Sequence, residues 1–275
     1  MRKITAIMTL LFLLPLAAWA APGDVYLQRM ASVEKEERNE ILPKHWVNPS
    51  ESGILGFLRR GFPEDALRRG LPRQPDLKTQ VVLTAIQELG FVGGERAIPV
   101  LSGIAVGEIP AGANSVIARD LETYPVDYVP RMRQRFESFM AHNAVVSLGR
   151  IGNPQGIEPV KTALEDTQDP LLLIEGALSL GAMESTDAIG YLAPLAGEDS
   201  LPEIERVYQA IFYLTGRNYG VHEYTPVAKL QQAQDDFDMW YLTEGREFVP
   251  QRAEVLRRRL EGLDIPQPPV SSLRG

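Results

Sequence analysis

The sequence predicts an all-α superhelix, a solenoid of antiparallel helix pairs, from three observations. First, Ala-x-x-x-Leu-Gly followed by an apolar residue eight positions after the glycine occurs at Ala85…Leu89-Gly90…Ile98 and at Ala144…Leu148-Gly149…Ile157. A looser copy is Ala177…Leu180-Gly181…Ile189. A recurring helical unit marks a stacked array, because one helix pair cannot bury its apolar face alone. Second, apolar residues through this region recur at helical spacing. Third, the turns between these stripes are very short, so neighbouring helices must run antiparallel.

The elements follow in order. Val82, Ile86 and Leu89 lie on one face of a helix that starts at Leu77; Ile98, Leu101 and Ile104/Ala105 mark the next. Further stripes are Ile157, Val160, Leu164; Leu171, Ile174, Leu178, Gly181; Ile189, Leu192, Leu195/Ala196; and Ile204, Val207/Tyr208, Ile211, Leu214. Asn153-Pro154 and Asp169-Pro170 each place a capping side chain before a proline at the first helical position. Ser200-Leu201-Pro202-Glu203 has capping-box spacing. The glycine after each leucine is expected to close the first helix of its pair in a left-handed conformation and to let the next helix approach closely.

The repeat spacing is uneven. Gly149 and Gly181 are 32 residues apart, whereas Gly90 and Gly149 are 59 apart, an excess of 27 that falls at about 107–133. This insertion has Gly107, Pro110 and Gly112 at its start and Pro125 and Pro130 towards its end, and it carries Tyr124 and Tyr128. An insertion of that length is either ornament or binding surface, and tyrosine is frequent contact area at interfaces. The bland alternative packs both tyrosines onto their own helices.

Before the repeats, residues 24–41 read as a charged, solvated helix packed through Val25, Leu27, Met30 and Val33. Residues 42–53, with His45-Trp46, read as a connection, followed by amphipathic pieces at Ile54–Arg60 and Glu64–Gly70. After them, Leu230, Ala233, Phe237 and Trp240/Tyr241 form an apolar stripe beside Asp235, Asp236 and Asp238. That pattern suits a terminal cap with one polar face. The functional alternative is an aromatic binding patch at Tyr219, Tyr224, Trp240 and Tyr241. A last helix at 249–263 turns Val249, Ala253, Leu256, Leu260 and Leu263 inward, with Arg257-Arg258-Arg259 as a solvated run paired with Glu254 and Glu261. The organisation read from the sequence is therefore a signal peptide at 1–20, an amino-terminal helical cap at 21–76, repeats at 77–216, a carboxyl-terminal cap at 217–265 and a disordered tail at 266–275.

The signal peptide rests on the basic start Met1-Arg2-Lys3, an apolar stretch from Ile4 to Ala17 and the small residues of Ala18-Trp19-Ala20. The apolar stretch is shorter than the ~20 residues of a spanning helix and contains Pro15. Cleavage is expected after Ala20, with a periplasmic or secreted destination and no membrane span afterwards. Removing these residues takes away two positive charges and no acid, which moves the net charge from −8 to −10. That sign argues against nucleic acid as a partner. With no cysteine, disulfides, thiol nucleophiles and Cys-ligated metals are excluded.

The block Leu148-Gly149-Arg150-Ile151-Gly152-Asn153-Pro154-Gln155-Gly156-Ile157 resembles the HEAT-repeat signature in the short form of phycobilisome-lyase-like HEAT proteins. Leu89 to Ile98 and Leu180 to Ile189 match it in register, and the resemblance covers about 77–216. Leu214-Thr215-Gly216-Arg217-Asn218-Tyr219-Gly220 with the acidic helix behind it resembles the tail of several bacterial HEAT-repeat proteins. The resemblance implies a scaffold fold used by adaptors and accessory subunits alike. Members often keep an Asp at the turn and an Arg early in the helix; here the turn holds Gly94, Asn153 and Ser185, and the early helix Ala141 and Leu173, so no Asp–Arg ladder is expected. The lyase activity of some relatives has no identifiable residues here.

No catalytic motif appears. His45, His142 and His222 lack zinc spacing, Gly90-Phe91-Val92-Gly93-Gly94 follows a helix and is no phosphate loop, and Asp235-Asp236 has no cleft assigned to it. No cofactor and no metal are expected. The sequence thus reads as an exported, non-enzymatic scaffold or adaptor that binds another protein. Its expected surface is the concave side of the second helices plus the insertion, with Tyr124, Tyr128, Tyr219, Trp240 and Tyr241 as candidate contacts. The alternative is an accessory subunit or lyase-like enzyme with a small-molecule site near the insertion or the aromatic cluster.

Overall fold

The computed structural model describes residues 41–43, 47–64, 66, 77–165, 167–198, 203–222 and 224–264. The expected signal peptide, the charged segment at 24–41 apart from Ile41, His45-Trp46, most of the Glu64–Gly70 piece, Ser200 to Pro202 of the expected capping box and residues 266–275 lie outside them. Among the described residues the chain is helical and contains no strand. The helices are α1 (Glu51–Arg60), α2 (Leu77–Val92), α3 (Ile98–Ala105), α4 (Ala111–Leu121), α5 (Val129–Ile151), α6 (Ile157–Glu165), α7 (Pro170–Ala182), α8 (Ala193–Ala196), α9 (Ile204–Thr215), α10 (Val227–Thr243) and α11 (Arg252–Asp264).

The first helices of the pairs, α2, α5, α7 and α9, pack side by side in chain order. The second layer runs from α3 to α6 and then to a 3-10 stretch, Thr186–Tyr191, that leads into α8. Helix α10 leans on α8 at the end of this layer. The stripe Ile189, Leu192, Leu195/Ala196 is buried as its spacing requires. It is built on 3-10 and short α segments, because Gly190, Pro194 and Gly197 interrupt a regular helix. Asn153 accepts a hydrogen bond from the Gln155 amide at 3.0 Å and Asp169 from the Leu171 amide at 3.0 Å, so both turn signals act as caps. Ser50 caps α1, which starts at Glu51, earlier than the apolar pattern indicated.

The repeat glycines lie inside their helices, which corrects half of the sequence reading. None of Gly90, Gly149 and Gly181 is left-handed; that conformation belongs to Gly152 (φ 70°) and Gly216 (φ 78°), which end α5 and α9. What the repeat glycines provide is helix contact. A Cβ on Gly90 would lie 3.0 Å from the Ser147 Cα, and one on Gly149 would lie 2.6 Å from the Ser179 Cα. A Cβ on Gly181 would meet a Leu214 methyl at 2.1 Å. α2 therefore touches α5, and α5 touches α7, backbone to backbone, whereas between α7 and α9 the space over Gly181 is filled by the Leu214 side chain. Ser147 uses the proximity to donate to the Ile86 carbonyl at 2.8 Å.

The insertion forms a helix. α4 packs on α1 and α2, and a Cβ on Gly112 would lie 2.1 Å from the Gly61 nitrogen. From α4, the fully buried Asp120 carboxylate accepts from the Thr79 amide at 2.6 Å and from the Lys78 ammonium at 3.1 Å. It thereby satisfies the amino terminus of α2, where amides lack helical partners and the dipole favours negative charge.

Helix α11 runs across the carboxyl ends of the first helices. Arg252 donates to the carbonyls of Gly149 at 3.1 Å, Arg150 at 2.6 Å and Ala182 at 2.9 Å, and Arg258 to those of Tyr213 at 3.0 Å and Leu214 at 3.3 Å. These carbonyls have no intrahelical donor, and a cation complements the dipole there. The arginine run is thus only partly solvated: Arg257 pairs with Glu254 and Glu261, whereas Arg259 pairs with Glu175 at 3.1 Å. Val249 precedes the helix and is exposed, and Val255 takes an inward place instead.

Gly149→Val is expected to destabilise the fold by at least ~2 kcal/mol, since the contact is with backbone that has no room to move. Gly94→Ala, whose Cβ would make only an ordinary contact of 3.7 Å with the Glu51 Oε1, should stay within ~0.5 kcal/mol; urea denaturation of both compares them. Asp120→Ala should cost ~3 kcal/mol by leaving Lys78 buried and unpaired, measured in the same way.

Candidate interaction site

The long helix α5 has two halves with different duties. Met140, Ala144, Val145 and Leu148 in the second half are buried in the repeat core. The first half extends against α4 and buries Phe136. Its outer side carries Arg131, the half-buried Met132, Arg135 and Phe139, which is 43% exposed, and Tyr128, the 56% exposed residue just before the helix, continues the row. These positions follow a spacing of three, one, three and four residues, which keeps them on one face. Tyr128, Arg131, Met132, Gln134, Arg135 and Ser138 line an open depression of about 620 Å³.

The three arginines here differ. Arg133 is engaged with Asn114 at 3.0 Å and Glu137 at 3.6 Å, which ties α5 to α4. The Arg135 guanidinium lies 5.3 Å from the Phe139 ring centre, a cation–π distance. Among the described residues Arg131 and Arg135 form no ion pair. The face therefore presents two available guanidiniums beside apolar side chains, on a chain whose net charge is −8.

The candidate residues separate clearly. Tyr124 is half-buried, packs on the core and meets Phe136 edge to face at 6.5 Å. Tyr128 stands free on the face just described. Tyr219, Trp240 and Tyr241 join Tyr208, Phe237 and Phe248 in one aromatic cluster beneath α10. Phe237 is its hub, 5.9 Å from Tyr219, 6.0 Å from Trp240 and stacked at 5.9 Å on Tyr241. Trp240 donates from Nε1 to Glu244 at 3.0 Å, and Arg217 lies 4.8 Å above its ring while pairing with the same carboxylate. Burial pushes the phenols of Tyr208 and Tyr219 above their ordinary range, so both stay neutral hydroxyls. Tyr208 of α9 donates to the Ala196 carbonyl at 3.3 Å, which ties α9 to α8 beside the cluster. These rings fill one another's space, as a terminal cap requires. Tyr224, by contrast, is exposed.

Arg131, Met132 and Arg135 were not singled out from the sequence. Their signal was the alternation Arg131-Met132-Arg133-Gln134-Arg135 without an acid, in an acidic chain. A smaller cleft of about 190 Å³ lies between α7 and α9, with Glu175, Arg206 and Arg259 at its edge. Among the described residues no group of three His, Asp or Glu is placed to hold a metal, and no helix is long and apolar enough to cross a membrane.

Residues 140–166 match the family described as PBS lyase HEAT-like repeat. The match covers the core half of α5, the Pro154–Gly156 turn and α6, one complete helix pair. No curated protein and no solved structure matches the chain.

The two tyrosines should respond differently to truncation. Tyr124→Ala is expected to lower stability by ~1–3 kcal/mol through lost packing and ring contact. Tyr128→Ala should leave the melting temperature unchanged; calorimetry on the two variants reads the difference.

Proposed function

For this chain, a helical-repeat protein that carries the PBS lyase HEAT-like repeat, we propose the role of an exported, non-enzymatic scaffold that holds protein partners in the cell envelope. The observation that carries this reading is the outer face of α5. It combines exposed aromatic and apolar groups with two guanidiniums that have no ion-pair partner among the described residues. Arginine and aromatic residues are enriched where proteins meet, and an open depression suits a protein surface better than an enclosed small molecule. Export is supported by the basic, apolar and small-residue layout of the first twenty residues. The non-enzymatic reading is supported by the sequence, in which no recognised catalytic motif appears, and by the ring packing that occupies the aromatic cluster.

A photo-crosslinking amino acid at Ser138, on this face, should give protein adducts when intact cells are illuminated. The same group at Gln168, exposed in the loop before α7, should give few. Equal or absent adducts at both positions would remove the role assigned to α5. Mass spectrometry of the same exported protein should find Ala21 as its first residue; intact Met1 on a membrane-bound form would replace export by anchoring.

A further inference from the structure

The exposed apolar side chains gather in a second place, the outer face of α10, where Met239 is 63% and Leu242 61% exposed. One turn before each stands an exposed aspartate, Asp235 before Met239 and Asp238 before Leu242. Neither aspartate forms an ion pair among the described residues. The face is thus acidic and apolar, the counterpart of the basic and apolar face of α5.

The two faces also agree in register. Read forward, α10 presents Asp235, Asp238, Met239 and Leu242, in steps of three, one and three residues. Read backward, α5 and the Tyr128 that caps it present Arg135, Met132, Arg131 and Tyr128, in the same steps. At 1.5 Å per residue each set spans about 10 Å of helix. Laid antiparallel, the right-handed winding of both helices puts Asp235 on Arg135, Asp238 on Arg131, Met239 on Met132 and Leu242 on Tyr128. Both charge pairs and both apolar pairs are satisfied by one placement. A parallel placement sets the aspartates on the arginines only by moving Met239 and Leu242 away from Tyr128 and Met132.

Resting on the scaffold reading above, we propose that the occupant of the α5 face is α10 of a second copy of this chain. The contact joins two different surfaces, so each copy keeps one face open after pairing and the assembly grows head to tail unless the geometry closes it into a ring. One helix face is a small interface, which makes the association concentration-dependent. Because its charges lie at the edge of the contact, salt weakens it.

Sedimentation equilibrium of the purified mature protein tests this. The average mass should rise from that of one chain as concentration goes from micromolar towards millimolar in low salt, and fall back in high salt. Arg131→Glu with Arg135→Glu makes both faces acidic, and Asp235→Arg with Asp238→Arg makes both basic. Each double variant, shown folded by circular dichroism, should associate about 100-fold more weakly than the parent. Mixing the two variants should restore assembly, because opposite faces then meet again. A monomer at every concentration, or an assembly that both variants leave intact, overturns the proposal. A purified monomer whose Ser138 adducts in cells contain an unlike protein would reject the second copy and leave the scaffold reading standing.

Discussion

The backbone-to-backbone contact that links α2 to α5 and α5 to α7 is the constraint on which the rest of the molecule depends. Gly90 against Ser147 and Gly149 against Ser179 bring α2, α5 and α7 closer than side chains would permit. At that distance the leucines and alanines that flank each glycine bury fully, and the second-layer helices have a continuous floor to pack on. The small residue is therefore needed for shape and carries no ligand role. A solenoid built this way has little tolerance for a methyl group at the contact, since packed interiors transmit such strain instead of absorbing it.

Polar groups answer the consequences of that packing. Helices set side by side in the same direction line up their dipoles and leave rows of unpaired amides at one end and carbonyls at the other. Asp120 from α4 meets the Thr79 amide at the start of α2, while Arg252 and Arg258 from α11 meet the carbonyls of α5, α7 and α9. Both donors of help come from outside the repeats proper, one from the insertion and one from the last helix. The left-handed Gly152 and Gly216 leave room for those guanidiniums; a Cβ on Gly216 would lie 3.1 Å from Arg258.

Most of this architecture was legible in the sequence because apolar spacing reports local burial. The stripes from Val82 to Leu214, the caps at Asn153 and Asp169 and the Phe237 cap stripe all depend on residues close in the chain. What spacing does not report is which distant group an end-of-helix carbonyl will meet. Arg258 looked like surface charge because its partners lie more than forty residues away. The position of the repeat glycine misled for a related reason: a glycine near a helix end looks the same whether it turns the chain or admits a neighbour. The candidate surface was half legible. Tyr128 was chosen for its place in the insertion, but Arg131 and Arg135 become a pair only once α5 is known to continue back through them.

The clamp formed by Arg252 reaches carbonyls more than one hundred residues earlier in the chain. Repeat arrays ordinarily have only neighbour contacts and come apart one unit at a time. A bond of this reach makes the end of the chain a condition for the completeness of its middle, so the repeats gain a shared fate: loss of α11 strips three helix ends at once. The same reach has a temporal side. Long-range contacts form late and slow the search, and during synthesis the carbonyls of α5 stay without their guanidinium until Arg252, about one hundred residues further on, has been made.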